Sequence, residues 1–175
     1  MVGVSPFMLV FRLIHIAAGV AWAGSVFLLV TVIQPTAAAI APAGAPFMGA
    51  LLGPRRLVDR LIGMGSLTVV GGLFLYWHDW QSYGSLGNWI GSAFGTVITI
   101  GTVAAIGALA IGIGGTRPTV ERFLAVGRQA AEAGGPTPEQ GAEIALLQGR
   151  LKVFARASLA LIGVAVLCMA TARYW

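Results

Sequence analysis

Four separated stretches of about 20 mostly apolar residues constrain this chain more than any other feature: roughly Phe7 to Ile33, Leu57 to Trp77, Trp89 to Ile113 and Val153 to Ala172. Hydrocarbon offers no partner for a backbone N–H or C=O, so a segment of this kind must satisfy its own hydrogen bonds as a helix. The expected fold is therefore all-α, an integral membrane four-helix bundle forming one domain over residues 1–175, with loops 34–56 and 114–152 on one side. Composition excludes the alternatives. Of the residues 57% are apolar and 10% charged, against roughly a quarter charged in a soluble domain, and a single cysteine builds no disulfide framework. Ala21-Trp22-Ala23 imitates a signal-peptide cleavage site, yet Arg12 interrupts the run, no basic residue precedes it, and it continues about ten residues further. It reads as a retained helix.

Orientation follows from the lysine and arginine bias. Arg55, Arg56 and Arg60 lie between spans one and two, and Arg117, Arg122, Arg128, Arg150, Lys152 and Arg156 between spans three and four, whereas the opposite side holds Arg12 and Arg173. Both basic loops are expected in the cytoplasm and both termini outside, a multi-pass arrangement in a bacterial inner membrane. The net charge of +5 is then that of a membrane protein's inner face and requires no nucleic acid. Tyr76, Trp77, Trp80, Tyr83, Trp89, Tyr174 and Trp175 fall at the outer ends, where aromatic side chains prefer the interface.

The first inner loop, Gln34 to Pro54, is apolar and rich in Ala, Pro and Gly, which suits a segment lying on the membrane surface or against other helices. In the second, Pro118-Thr119 with Glu121 starts a short cytoplasmic helix that Gly134-Gly135 ends. Thr137-Pro138-Glu139-Gln140 then reads as a capping box with proline at the first helical position. About 35 residues without a breaker follow, some 50 Å of helix, so the fourth helix is expected to project into the cytoplasm. Gly91 and Gly95 form a GxxxG, and Ala17, Ala21 and Gly24 give the first helix a small-residue face.

Ionisable residues within spans are candidate functional residues. His15 shares a helix face with Arg12, Phe11 and Gly19 and, two turns on, with Met8 and Trp22. A glycine one turn from a histidine leaves room for a flat ligand. The pattern suits an axial ligand of a b-type haem, with Arg12 meeting a propionate and Phe11 and Trp22 as walls. A histidine hydrogen-bonded to a neighbouring helix, with Arg12 snorkelling outward, is the competing reading. His78 could supply a second ligand, although it lies about 10 Å nearer the outer surface than His15, and Tyr-Trp-His-Asp-Trp also suits an interface. Copper is the other candidate metal, with Met8, Cys168 and Met169 near the level of His15 as soft ligands; as core fillers they need no metal. Asp59 and Arg60, beside Arg55 and Arg56, read as a headgroup anchor. CxxC, HExxH, paired carboxylates and phosphate loops do not occur, so hydrolytic, kinase and dinucleotide roles are not expected.

Leu13-Ile14-His15-Ile16, Ala21-Trp22-Ala23-Gly24 and the apolar run to Gln34-Pro35 resemble the first helix of bacterial CopD-like membrane proteins, a group that takes in copper-resistance D domains and HemJ-type protoporphyrinogen oxidases. The resemblance implies His15 as a ligand for haem or copper and carries over no further site. HemJ-type proteins also use a lysine in a later span, and the third span here has none, which counts against protoporphyrinogen oxidation. The copper-resistance proteins are larger and have more spans. Three functions remain open: a haem-binding redox or electron-transfer component, a cofactor-free accessory subunit of a larger respiratory or photosynthetic membrane complex, and copper handling. So short a chain suits a subunit better than an autonomous enzyme.

Overall fold

A computed structural model of the chain describes residues 6–175. It is helical, with no strand among those residues. Four helices are long and apolar enough to cross a membrane: Pro6–Ala39, Leu57–Ser82, Ala93–Glu132 and Pro138–Tyr174. In order along the chain the elements are α1 (Pro6–Leu28) running through a wide π turn, Leu29–Ile33, into α2 (Gln34–Ala39); the short α3 (Gly44–Leu52); α4 (Leu57–Ser82); the short α5 (Leu86–Gly91); α6 (Ala93–Ala110) running through a second π turn, Ile111–Thr116, into α7 (Arg117–Glu132); and α8 (Pro138–Thr171), closed by a 3-10 turn.

Both π turns have the same cause. A proline has no N–H to donate, and its ring collides with the carbonyl four residues back. Pro35 and Pro118 each sit just past a π turn, and the residue before each proline donates five residues back instead of four: Gln34 N–H to Leu29 O, and Arg117 N–H to Gly112 O. The widened turn carries the helix through the proline. The segment after Pro118, expected as a separate short helix, is consequently a continuation of the third long helix. Gln34, expected to open a loop, opens a further turn and a half of helix.

The principal packing pairs are α1 with α4 and α6 with α8, with further contacts between α4 and α6 and between α1 and α8. Small residues occupy the interfaces, among them Gly65, Gly71, Gly101, Ala104, Ala105 and Ala108, so the helices approach closely and bind through van der Waals contact. Large apolar side chains such as Leu13, Val20, Leu67, Val103 and Leu167 are on the outside, as lipid rather than water requires. Ala17, Ala21 and Gly24 do not join the α1–α4 packing: Gly24, for one, has nothing within 4 Å of where a Cβ would stand. The face of α1 that packs is the one carrying His15, Gly19, Trp22 and Val26.

At the arginine-rich end, Asp59 accepts from Arg56 at 2.8 Å and lies 3.3 Å from Arg117 of α7, so one carboxylate of this cluster joins two long helices. Arg122 makes a bidentate pair with Glu143, at 2.6 and 2.9 Å, tying α7 to α8. That hydrogen bond holds the Glu143 carboxyl below its ordinary range and raises Arg122. The start of α8 is the one its sequence specifies: Thr137 Oγ1 accepts from Gln140 N–H, Gln140 Oε1 accepts from Thr137 N–H, and Pro138 occupies the first turn. The helix runs 34 residues.

At the opposite end the third long helix begins at Ala93, four residues later than expected. Ser92 has extended backbone and caps the helix by accepting from Gly95 N–H at 3.0 Å. The GxxxG of Gly91 and Gly95 therefore straddles a break between two helices rather than marking a helix face. Trp89, expected at the interface, is wholly buried, with Tyr76, Tyr83 and Phe94 edge-on around it.

Candidate functional site

His15 stands on the face of α1 that meets α4. Its Nδ1 lies 2.7 Å from the carbonyl oxygen of Thr68. A carbonyl can only accept, so Nδ1 carries the proton and the neutral ring keeps its lone pair on Nε2. Glycines on α4 make the approach possible: a Cβ on Gly71 would lie 3.3 Å from His15 Cβ, and one on Gly72 would lie 2.8 Å from His15 Cε1. The imidazole lies on bare backbone. Nε2 has no partner among the described residues and is not sealed away from the surface.

Gly19 also serves this contact. The Thr68 hydroxyl turns back to Met64 O at 2.8 Å, and its methyl is 3.3 Å from where a Gly19 Cβ would stand. The room expected beside Gly19 for a ligand is filled by Thr68. Trp22, two turns deeper than His15, packs its indole over Gly65 and belongs to a core cluster with Val26, Ala108 and Ile162. The Phe11 ring lies tilted against Phe74 of α4 at 4.5 Å and edge-on to Phe7 at 4.6 Å. Arg12 is exposed, free to extend toward the membrane surface.

The other candidates fall elsewhere. His78 is exposed near the end of α4 with Asp79 3.4 Å away; it is six residues, about 9 Å of helix, beyond the glycine on which His15 lies. Cys168 and Met169 pack against Gly101 of α6, on the α6–α8 pair rather than on the α1–α4 pair. Met8 is half-buried one turn before Arg12. No group of three His, Cys, Asp or Glu side chains within reach of one metal ion occurs among the described residues.

A haem is tested by these positions. One axial ligand fits, because a ligating histidine commonly donates its second nitrogen to a carbonyl, and Nδ1 here does so. The walls expected for it are taken: Trp22 and Gly19 are engaged in helix packing. Sequence reasoning misses Thr68, Gly71 and Gly72 as partners of His15. Their one signal is the Gly71-Gly72 pair in mid-span, where glycine lowers helix propensity and marks a close approach. The chain matches no family model, no curated protein and no solved structure.

Proposed function

We propose that this chain is a bacterial inner-membrane subunit that holds a b-type haem through His15 and serves a redox or electron-transfer assembly. The observation that carries the reading is the hydrogen bond from His15 Nδ1 to Thr68 O: it fixes the tautomer and the ring orientation and leaves the Nε2 lone pair for a metal. When bound, the haem supplies one-electron chemistry. The chain's own part is to hold the imidazole on the Gly72 backbone, to orient it through the Thr68 carbonyl, and to offer the Arg12 guanidinium to a propionate. In this reading the termini lie outside, the arginine-rich ends face the cytoplasm, lipid covers much of the apolar surface, and a neighbouring subunit supplies the second wall of the haem site.

The small-residue face of Ala17, Ala21 and Gly24 favours the second reading, an accessory subunit without a cofactor, because small residues admit a partner helix closely. Copper handling by His15 with Met8, Cys168 or Met169 ranks third.

The test is the visible spectrum of the detergent-purified protein, oxidised and dithionite-reduced, beside the His15→Ala and His78→Ala variants. A Soret band with reduced alpha and beta bands, lost in His15→Ala and kept in His78→Ala, is the expected result. A colourless protein from haem-replete cells would overturn the haem reading. Metal analysis and the co-purifying chains would then decide between the other two.

A further inference from the structure

At the arginine-rich end three carboxylates are already paired: Asp59 with Arg56 and Arg117, Glu121 with Arg117, and Glu143 with Arg122. Arg150 of α8 is exposed and has no carboxylate within ion-pair reach among the described residues. It lines a groove between the second π turn and α8, together with Gly114, Gly115, Pro118, Arg122 and Phe154. None of the residues lining that groove is acidic. The charge of Arg150 is therefore left for an anion from outside the chain.

Depth says where that anion lies. The fourth apolar stretch begins at Val153, so Arg150 stands about 4–5 Å beyond the hydrocarbon by helix rise. Headgroups occupy roughly 5–7 Å on each side of the core, which puts the guanidinium at their level. Glu143 is about 15 Å beyond Val153, so its pair with Arg122 lies past that layer. The floor of the groove belongs to the hydrocarbon side. Phe154 covers Gly115, 3.2 Å from where a Cβ would stand, whereas Gly114 has nothing within 4 Å. Ile113, just before it, is exposed, so the floor is continuous with the outer apolar surface of the third long helix. The Thr119 hydroxyl, the one hydroxyl in the lining, already donates to Gly115 O at 2.7 Å.

We propose that this groove seats one anionic phospholipid, with its phosphodiester on Arg150 and the start of an acyl chain over Gly114 and Phe154. Each property of the ligand answers an observation. The unpaired guanidinium can meet two phosphate oxygens with parallel N–H donors. The apolar floor suits a chain, which free phosphate lacks. A headgroup amine would face two arginines and no lining carboxylate, so the matching headgroup carries the phosphate charge alone. Basic pockets between membrane helices hold anionic headgroups through the same forces. The site rests on the helices crossing a membrane and not on haem, since His15 belongs to the α1–α4 pair.

The experiment is native mass spectrometry of the detergent-purified chain titrated with phosphatidylglycerol, and in parallel with phosphatidylethanolamine of the same acyl chains. The first phosphatidylglycerol is expected to bind at least about fivefold tighter than the ethanolamine lipid. Arg150→Gln should weaken it about fivefold or more, the effect of one basic residue at an anionic headgroup. Gly114→Leu, which fills the floor, should weaken it as well. Lys152→Gln makes the same charge change two residues on, about 200° round the helix, and should bind like the unmodified chain. Tm confirms that each variant is folded. The proposal is overturned if the two lipids bind alike, if Lys152→Gln weakens binding as much as Arg150→Gln, or if folded Gly114→Leu binds like the unmodified chain. Displacement of the lipid by inorganic phosphate would also overturn it, leaving an anion site without a lipid. A chain without haem that still binds phosphatidylglycerol in this pattern leaves the proposal standing while removing the reading at His15.

Discussion

The Nδ1 atom of His15 lies 2.7 Å from the carbonyl oxygen of Thr68, and the bond runs from a side chain on one long helix to the backbone of another. Two consequences separate here. The bond joins α1 to α4 whether or not a cofactor is present, and it presets the nitrogen that a cofactor would use.

His15→Ala should therefore destabilise the protein by about 1–3 kcal/mol: a net hydrogen bond, near 0.6 kcal/mol on average between membrane helices, plus the packing of the imidazole over Gly71 and Gly72. Thr68→Val should cost less than about 1 kcal/mol, because the acceptor is backbone and the hydroxyl serves its own helix. Unfolding in mixed micelles compares the two. Equal losses would show that the side chain of Thr68, rather than its carbonyl, holds the two helices together.

The α1–α4 register rests on matched spacings. His15 and Trp22 are seven residues apart on α1, Gly72 and Gly65 seven apart on α4, and each ring lies on one glycine. A methyl on Gly65 would stand 2.8 Å from Cε2 of the buried Trp22 and 3.2 Å from Cδ1 of Leu109, which packs against the same core cluster, so Gly65→Ala should cost about 1–3 kcal/mol through overpacking. Gly63→Ala meets nothing within 4 Å and should be neutral or stabilising by up to about 1 kcal/mol, since alanine favours helix. The same unfolding experiment decides, and a Gly65→Ala protein as stable as Gly63→Ala would remove this register.

These pairs separate what is legible in the chain from what is not. The spans and the start of α8 are legible because hydrophobic length and capping act within a few residues. Thr137, Pro138 and Gln140 carry their own hydrogen bonds wherever the helix goes. The glycine cradles are not legible as partners of His15 and Trp22, because a match of spacings between two helices becomes a contact only once they are known to be antiparallel neighbours. Continuation through Pro35 and Pro118 is hidden for another reason. Proline normally ends a helix, and a π turn that rescues it leaves little trace in composition. Gly19 is legible as a small residue on the His15 face, while the group that fills its space, Thr68, comes from 49 residues further along the chain.

Acid should loosen the α7–α8 contact. Glu143 is held below its ordinary value of 4.5 by the hydrogen bond from Arg122. A carboxyl whose pKa is depressed by folding contributes stability that is present above its unfolded value and lost as pH falls through its folded one. The contact should therefore be intact at neutral pH and weaken only below about pH 4.5. Carbon-13 NMR of labelled glutamate side chains should show Glu143 titrating below 4.5 and moving upward in Arg122→Ala, with Glu139, held down chiefly by its own backbone N–H and by Thr137, unmoved. A Glu143 titration unchanged in that variant would mean that the pair is not populated in solution.

Trp89 offers a sharper balance of terms. It is fully buried, three aromatic rings meet it edge-on at 5.0–5.6 Å, and its indole Nε1 is buried without an acceptor among the described residues. Trp89→Ala removes the whole ring and should cost about 3–5 kcal/mol. Trp89→Phe keeps most of the ring packing and removes the donor. An unmet buried donor costs about 1–3 kcal/mol, which offsets the smaller void that phenylalanine leaves, so the net change should stay within about 1 kcal/mol. Tyr76, which meets the indole and hydrogen-bonds Thr99 at 2.9 Å, provides a local control, because Tyr76→Phe leaves Trp89 covered and should lose only that one bond. If Trp89→Phe proves nearly as damaging as Trp89→Ala, the indole N–H must have a partner in the folded protein, and its burial would stabilise the α4–α6 corner through a hydrogen bond rather than through the rings alone.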